Sequence, residues 1–194
     1  MSDTTQSAAA LTWLDLKPAE PTPELRTVFD ATIERIGYVR NSQIAMAGMP
    51  DVVIALDGVS RSVMREGAGT LSARERELIA LVASVENSCV SCTFTHAARL
   101  RSITGDPVWT AVVEANYRHA ELSERERAIA DYAYKLTAHP ALIDENDLAP
   151  LRASGVSEED IFYTIAITAY FNLSNRLMSG LGMKPNREAY EAGR

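Results

Sequence analysis

The 194-residue chain has no basic stripe, no apolar run long enough to cross a bilayer, and no stretch of sustained period-two alternation. Each absence narrows the reading. A net charge of −7 without a basic patch argues against a nucleic-acid partner. The most apolar stretch, Ile161 to Phe171, is too short to span lipid, so no membrane partner is expected. Met1 to Ala10 lacks a basic start followed by an apolar core. No secretory signal is therefore expected, and a cytoplasmic location is the default. Without alternation or a hairpin signal there is no case for strands, and the predicted fold class is all-α. Cysteine is also scarce: there are only two, beside three histidines. A disulfide scaffold is thereby excluded, and the ordinary apolar content allows a core without one.

What is present is organised by helix signals. Pro18, Pro21 and Pro23 discourage helix near the start, so residues 1–23 are expected to form a flexible lead. Residues 24–194 are expected to form a single all-helical domain. Leu25, Val28, Phe29, Ile33 and Ile36 recur at three and four, predicting a helix that Gly37 stops. Asn41–Gly48 is a shorter candidate, and Pro50 opens another that Gly67 and Gly69 end. Ser72 with Glu75, and Ser123 with Glu126, are capping boxes that open two further helices. The first runs to about Glu86, with Leu78, Leu81, Val82 and Val85 as its buried stripe. A helix to about Arg101, one from Pro107 to about Tyr117, and a short one over Asp144–Ala153 are also predicted. Ser157 opens the longest, ending near Ser179 before Gly180 and Gly182. Leu71-Ser72-Ala73-Arg74-Glu75-Arg76 echoes Leu122-Ser123-Glu124-Arg125-Glu126-Arg127. The echo means either a duplicated helical unit or two capping boxes that look alike.

Both cysteines and one histidine fall within residues 86–96. On a helix that turns about 100° per residue, Cys89, Cys92 and His96 lie within about 60° of one another. Asn87 or Ser88 is a natural N-cap, so the cysteines are expected in the opening turn. The orphan N–H groups and dipole there favour thiolate over thiol. His96 can take a proton from Cys92, give one to a leaving group, or bind a metal. A structural zinc site needs four ligands; these residues supply three at most, at the wrong spacing. A redox role outweighs both zinc and the reading of two inert buried cysteines. His119 and His139 lack such neighbours and read as structural or exposed. Asn172, Asn175 and Arg176 share a helical face and read as an anchor between helices or a subunit contact. Tyr163 and Tyr170 read as core or interface aromatics. Glu77 falls at the edge of its helix's apolar stripe, and spacing alone does not select it.

Leu71-Ser72-x-Arg74-Glu75-Arg76-Glu77, eleven residues, then Cys89-x-x-Cys92-x-x-x-His96 resembles the alkylhydroperoxidase D-like proteins of the carboxymuconolactone decarboxylase superfamily. Ile36-Gly37-Tyr38-Val39-Arg40-Asn41-Ser42 and Phe171-Asn172-Leu173-Ser174-Asn175-Arg176-Leu177 resemble the branch called peroxidase-related proteins. The resemblance implies an internally duplicated helical bundle that forms a homo-oligomer. It implies a thiol-dependent peroxidase or disulfide oxidoreductase in antioxidant defence: Cys92 attacks a hydroperoxide, Cys89 resolves the sulfenic acid to a disulfide, and His96 with Glu77 relays protons. A dithiol donor of the lipoyl or thioredoxin type would restore the thiols, with no haem, flavin or metal. In one departure, Ser91 stands where the best-studied members carry a histidine, which weakens the expectation of efficient peroxide reduction. The decarboxylases of the superfamily lack the cysteine pair. Two other functions remain open: a non-enzymatic redox sensor or partner-binding protein using the same disulfide, and a cofactor-free lyase acting on a lactone acid.

Overall fold

The structure, a computed structural model, describes residues 11–17 and 19–194. The first ten residues and Pro18, part of the expected lead, lie outside the described residues. Among those described, every helix or strand assignment is helical, as predicted. In chain order the helices are α1 (Pro23–Ile36), α2 (Asn41–Ala45), α3 (Pro50–Met64), α4 (Ala73–Glu86) and α5 (Val90–Thr104). There follow α6 (Pro107–Asn116), α7 (Glu124–Ala138), α8 (Ala149–Ala153), α9 (Glu158–Leu181) and α10 (Arg187–Glu191). No described helix is long and apolar enough to cross a membrane.

Local chemistry sets the boundaries. Thr22 Oγ1 accepts from the Leu25 N–H and starts α1; Gly37, at φ +87°, ends it by donating to Ile33 O at 2.7 Å. Both predicted capping boxes form. Ser72 Oγ accepts from Glu75 N at 3.1 Å, and Ser72 N donates back to Glu75 Oε2 at 2.7 Å. Ser123 and Glu126 do the same at 3.2 and 2.9 Å. Each such cap is worth about 1 kcal/mol. Gly180 stays inside α9, and Gly182 alone caps it. The expected helix over Asp144–Ala153 begins only at Ala149, after 3-10 turns at Pro140–Leu142 and Glu145–Leu148. Pro150 explains this: its ring would clash with the carbonyl four residues back if a helix already ran through Asn146. The unpredicted α10 is held from outside, by Arg101 donating to Ala189 O at 2.9 Å and Ala192 O at 2.7 Å.

α4 is the central element. It packs against α5, α7 and α9, and every residue from Glu75 to Ser84 is buried. The predicted stripe is therefore replaced by burial on all sides, which removes the periodicity that a half-exposed helix shows. Polar residues survive there by being paired. Arg76 donates to Leu71 O, Val63 O and Ala68 O, fastening the α3–α4 loop. Arg127, its echo, donates to Tyr117 O and Ala120 O before α7. Arg74 Nε lies 2.6 Å from Glu126 Oε1, and Arg125 Nε lies 2.7 Å from Glu75 Oε1. The two echo segments thus clasp each other reciprocally, each capping-box glutamate taking the other segment's arginine. Arg125 also reaches the fully buried Asp160 at 3.0 Å. Asp160 accepts from Thr70 N at 2.7 Å and Thr70 Oγ1 at 2.6 Å, joining the start of α9 to the loop before α4.

A second cluster, distinct from that core, gathers Leu11, Leu25, Val53, Met178 and Leu181 around both cysteines. The chain before α1 contributes: Lys184 N donates to Leu11 O, and Trp13 N to Leu181 O, both at 2.9 Å. A cleft lies between this cluster and α4.

Candidate active site

The turn from α4 to α5 sets the cysteines. Asn87 closes α4, its N–H donating to Ala83 O at 3.1 Å. Ser88 takes the left-handed region at φ +53°, which costs a non-glycine residue roughly 1–2 kcal/mol. Cys89, rather than Asn87 or Ser88, is then the N-cap of α5. The physical reason lies in the backbone. Asn87 is still αR at the end of α4 and Ser88 is left-handed, so Cys89, at φ −83° and ψ 93°, is the first residue with the extended conformation an N-cap takes. The Asn87 amide meanwhile donates to Asn172 Oδ1 at 3.1 Å. Cys92 follows at the third helical position. The first α5 bond closes only at Thr93 N, so the N–H groups of residues 90–92 precede the helix ladder and favour negative charge. Cys89 and Cys92 are joined as a disulfide with Cα atoms 5.4 Å apart. They are not equivalent: Cys92 lines the cleft at 7% exposure, whereas Cys89, at 2%, sits behind it in the second cluster.

His96 lies one turn beyond Cys92 and lines the same cleft. Its Nδ1 is 2.8 Å from Glu77 Oε2, and its ring meets Phe171 edge-on at 4.4 Å. Burial would raise the Glu77 carboxyl, but the hydrogen bond and charge of His96, with Arg99 Nε 3.5 Å away, hold it below the usual range. An ionised Glu77 makes Nδ1 the protonated nitrogen, leaving Nε2 free to exchange a proton. Four residues from α4, α5 and the turn between them thus converge here: Cys92, His96 and Glu77 on the cleft, with Cys89 bonded behind. Ser91 lines the cleft as well.

The cleft has a volume of about 390 Å³, within the range of small-molecule sites. Sequence reasoning missed much of its wall, including Arg35, Asp57 and Arg99, and it read Tyr170 as a packing aromatic although that ring faces the cleft. The signals were the two stretches that resemble the peroxidase-related branch: Ile36–Ser42 supplies Tyr38 and Arg40 to the wall, and Phe171–Leu177 supplies Phe171 and Ser174. His119 and His139 are exposed and away from it. Asn172 accepts from Asn87 and, at 2.6 Å, from Arg176 Nη1, and donates to Thr137 Oγ1 at 3.0 Å. Asn175 Oδ1 accepts from Ser84 Oγ at 3.3 Å. These residues tie α9 to α4, α7 and the cysteine turn. Among the described residues, no three His, Cys, Asp or Glu side chains are grouped to hold a metal ion.

Comparison with known proteins agrees with this fold. The carboxymuconolactone decarboxylase family model matches residues 50–135, the segment that carries Glu77, both cysteines and His96. A peroxidase-related protein from Silicibacter sp. TM1040 is 35% identical, with a TM-score of 0.89 over 99% of this chain and 100% of that one. The alkylhydroperoxidase AhpD core protein from Ralstonia eutropha JMP134, also described as peroxidase-related, is 31% identical, with a TM-score of 0.88 over 95% and 97%. The debrominase Bmp8 shares the fold at 19% identity and a TM-score of 0.79, over 92% and 96%. No curated protein matches the chain. By its helices, its cysteine turn and these relatives, the chain belongs to the carboxymuconolactone decarboxylase superfamily, among its alkylhydroperoxidase D-like members.

Proposed function

We propose that the protein is a thiol-dependent peroxidase that cycles its cysteine pair between dithiol and disulfide. The observation that carries this reading is the asymmetry of the pair: Cys92 opens to the cleft that holds His96 and Glu77, and Cys89 waits behind it. In the reduced protein Cys92 gives its proton to His96 Nε2. The imidazolium is held by Glu77 and the thiolate by the opening turn of α5. Side chains one turn apart on a helix have Cβ atoms roughly 5–6 Å apart, close enough for transfer directly or through one water. The thiolate attacks the terminal oxygen of the hydroperoxide and the O–O bond breaks. The departing alkoxide takes the proton from His96, giving an alcohol and Cys92 sulfenic acid. The Cys89 thiol condenses with it, releasing water and forming the disulfide. An external dithiol, of lipoyl or thioredoxin type, then reduces that bond by exchange and is itself oxidised.

The test is hydroperoxide consumption with a dithiol donor, wild type against Cys92→Ser. Turnover is expected only in the wild type; equal rates would end the peroxidase reading. A redox sensor is the second reading, and the low exposure of the pair favours it: Cys89 is buried behind the cleft and Cys92 is reached only through it, which slows exchange with a bulky donor. It predicts one oxidation per chain without turnover, accompanied by a change in assembly or partner affinity.

A further inference from the structure

The cleft is cationic in a protein that is acidic overall. Three guanidinium groups line it: Arg35 from the end of α1, Arg40 just before α2, and Arg99 from α5. Two carboxylates also line it, and both are already engaged. Asp57 Oδ2 accepts from Arg61 Nε at 2.7 Å, and Glu77 serves His96 and Arg99. Among the described residues, neither Arg35 nor Arg40 has a carboxylate oxygen within 4 Å. Arg40 Nε is shut off from solvent without a hydrogen-bond partner. Such a donor is costly to leave unmet. Partial desolvation and the nearby charge of Arg40 lower the pKa of Arg35, with Arg99 adding to the effect and the carboxylates of Asp57 and Glu77 opposing it. The rest of the wall includes apolar surface from Met46, Val53, Leu56, Met64 and Phe171. A volume of about 390 Å³ is far more than hydrogen peroxide requires.

We propose that the cleft binds an organic carboxylate, its anionic end across Arg35 and Arg40 and its apolar body extending toward Cys92. A guanidinium fork suits that head group better than any neutral one. Resting on the peroxidase reading, this makes the bound molecule either a carboxylate-bearing hydroperoxide or a carboxylate-bearing dithiol donor.

Equilibrium binding of 4-isopropylbenzoate against 4-isopropylbenzamide tests the site without any turnover. The benzoate is expected to bind the wild type at least tenfold more tightly, and Arg35→Gln and Arg40→Gln are each expected to cut that preference to below threefold. Equal affinities in the wild type, a comparison that needs no variant to fold, would overturn the proposal, as would a preference left at full size in both variants. Rates separate the two sources. Reduced protein is mixed with cumene hydroperoxide bearing a para-carboxylate or a para-carboxamide, and oxidised protein with dihydrolipoate or dihydrolipoamide. A tenfold carboxylate preference in the first pair identifies the oxidant, and in the second the reductant; none in either overturns the assignment to this chemistry. If the benzoate preference stands while no hydroperoxide is consumed, the anion site holds and the peroxidase reading falls.

Discussion

Glu77→Gln isolates the charge of the relay from its shape. The amide keeps an acceptor for His96 Nδ1 at a site where the native contact is 2.8 Å, and it removes only the negative charge. In the resting state the loss is modest. Charge-assisted hydrogen bonds are worth about twice neutral ones, so roughly 1–1.5 kcal/mol disappears. The loss grows when His96 holds a proton. Two unit charges about 4 Å apart interact by about 4 kcal/mol at an effective dielectric of 20, and Glu77 is 7% exposed, so solvent screens little of that. The step that charges His96 should therefore slow by between about tenfold and a thousandfold. The assay is rapid mixing of reduced protein with excess hydroperoxide, with kcat/KM for turnover measured alongside and the melting temperature confirming the fold. A folded Glu77→Gln protein within twofold of the wild-type rate would refute the relay.

Asp160 gives the pH dependence of stability. Burial would raise its carboxyl, but Thr70, through its hydroxyl and N–H, with Arg125 and Ser157, holds it at about 2. Its folded pKa is thus below the unfolded value of about 4. The stabilisation is full above pH 4 and is lost as pH falls toward 2, a gap of roughly 2 kcal/mol. Urea unfolding of Asp160→Asn should show a loss of about 2–4 kcal/mol at pH 7 and a shallower fall between pH 4 and 2.5; an unchanged acid slope contradicts the assignment. Asn172→Ala cuts Asn87, Thr137 and Arg176 from a shared partner. It should cost about 1–3 kcal/mol and speed amide exchange at Cys89, and a change below about 0.5 kcal/mol would mean the anchor is idle.

What could be read in the sequence follows from where the forces are local. Ser72 and Ser123 cap helices through partners three residues away, so their signal is complete within five residues. The face shared by Cys92 and His96 depends only on helical pitch. Glu77 was legible only by resemblance, because α4 is buried all round and no exposed face marks which carboxylate points inward. The N-cap of α5 shifted to Cys89 because Asn87 still closes α4 and Ser88 turns left-handed, a backbone turn that residue type alone does not mark. The reciprocal clasp of Arg74 with Glu126 and Arg125 with Glu75 gives the sequence echo a geometric meaning that two copies of a motif could not supply. Of the arginine wall only Arg40 fell in a stretch the sequence singled out; Arg35 and Arg99 line the same cleft only after α1 and α5 have packed.

The central claim is that the Cys92 sulfur is what meets the peroxide. In a Cys89→Ser protein the resolving thiol is gone, so a sulfenic acid formed at Cys92 should persist. Treatment with one equivalent of hydroperoxide and dimedone, followed by peptide mass spectrometry, should find the adduct on Cys92 at close to one per chain. A Cys92 that stays unmodified while the hydroperoxide survives would contradict the account.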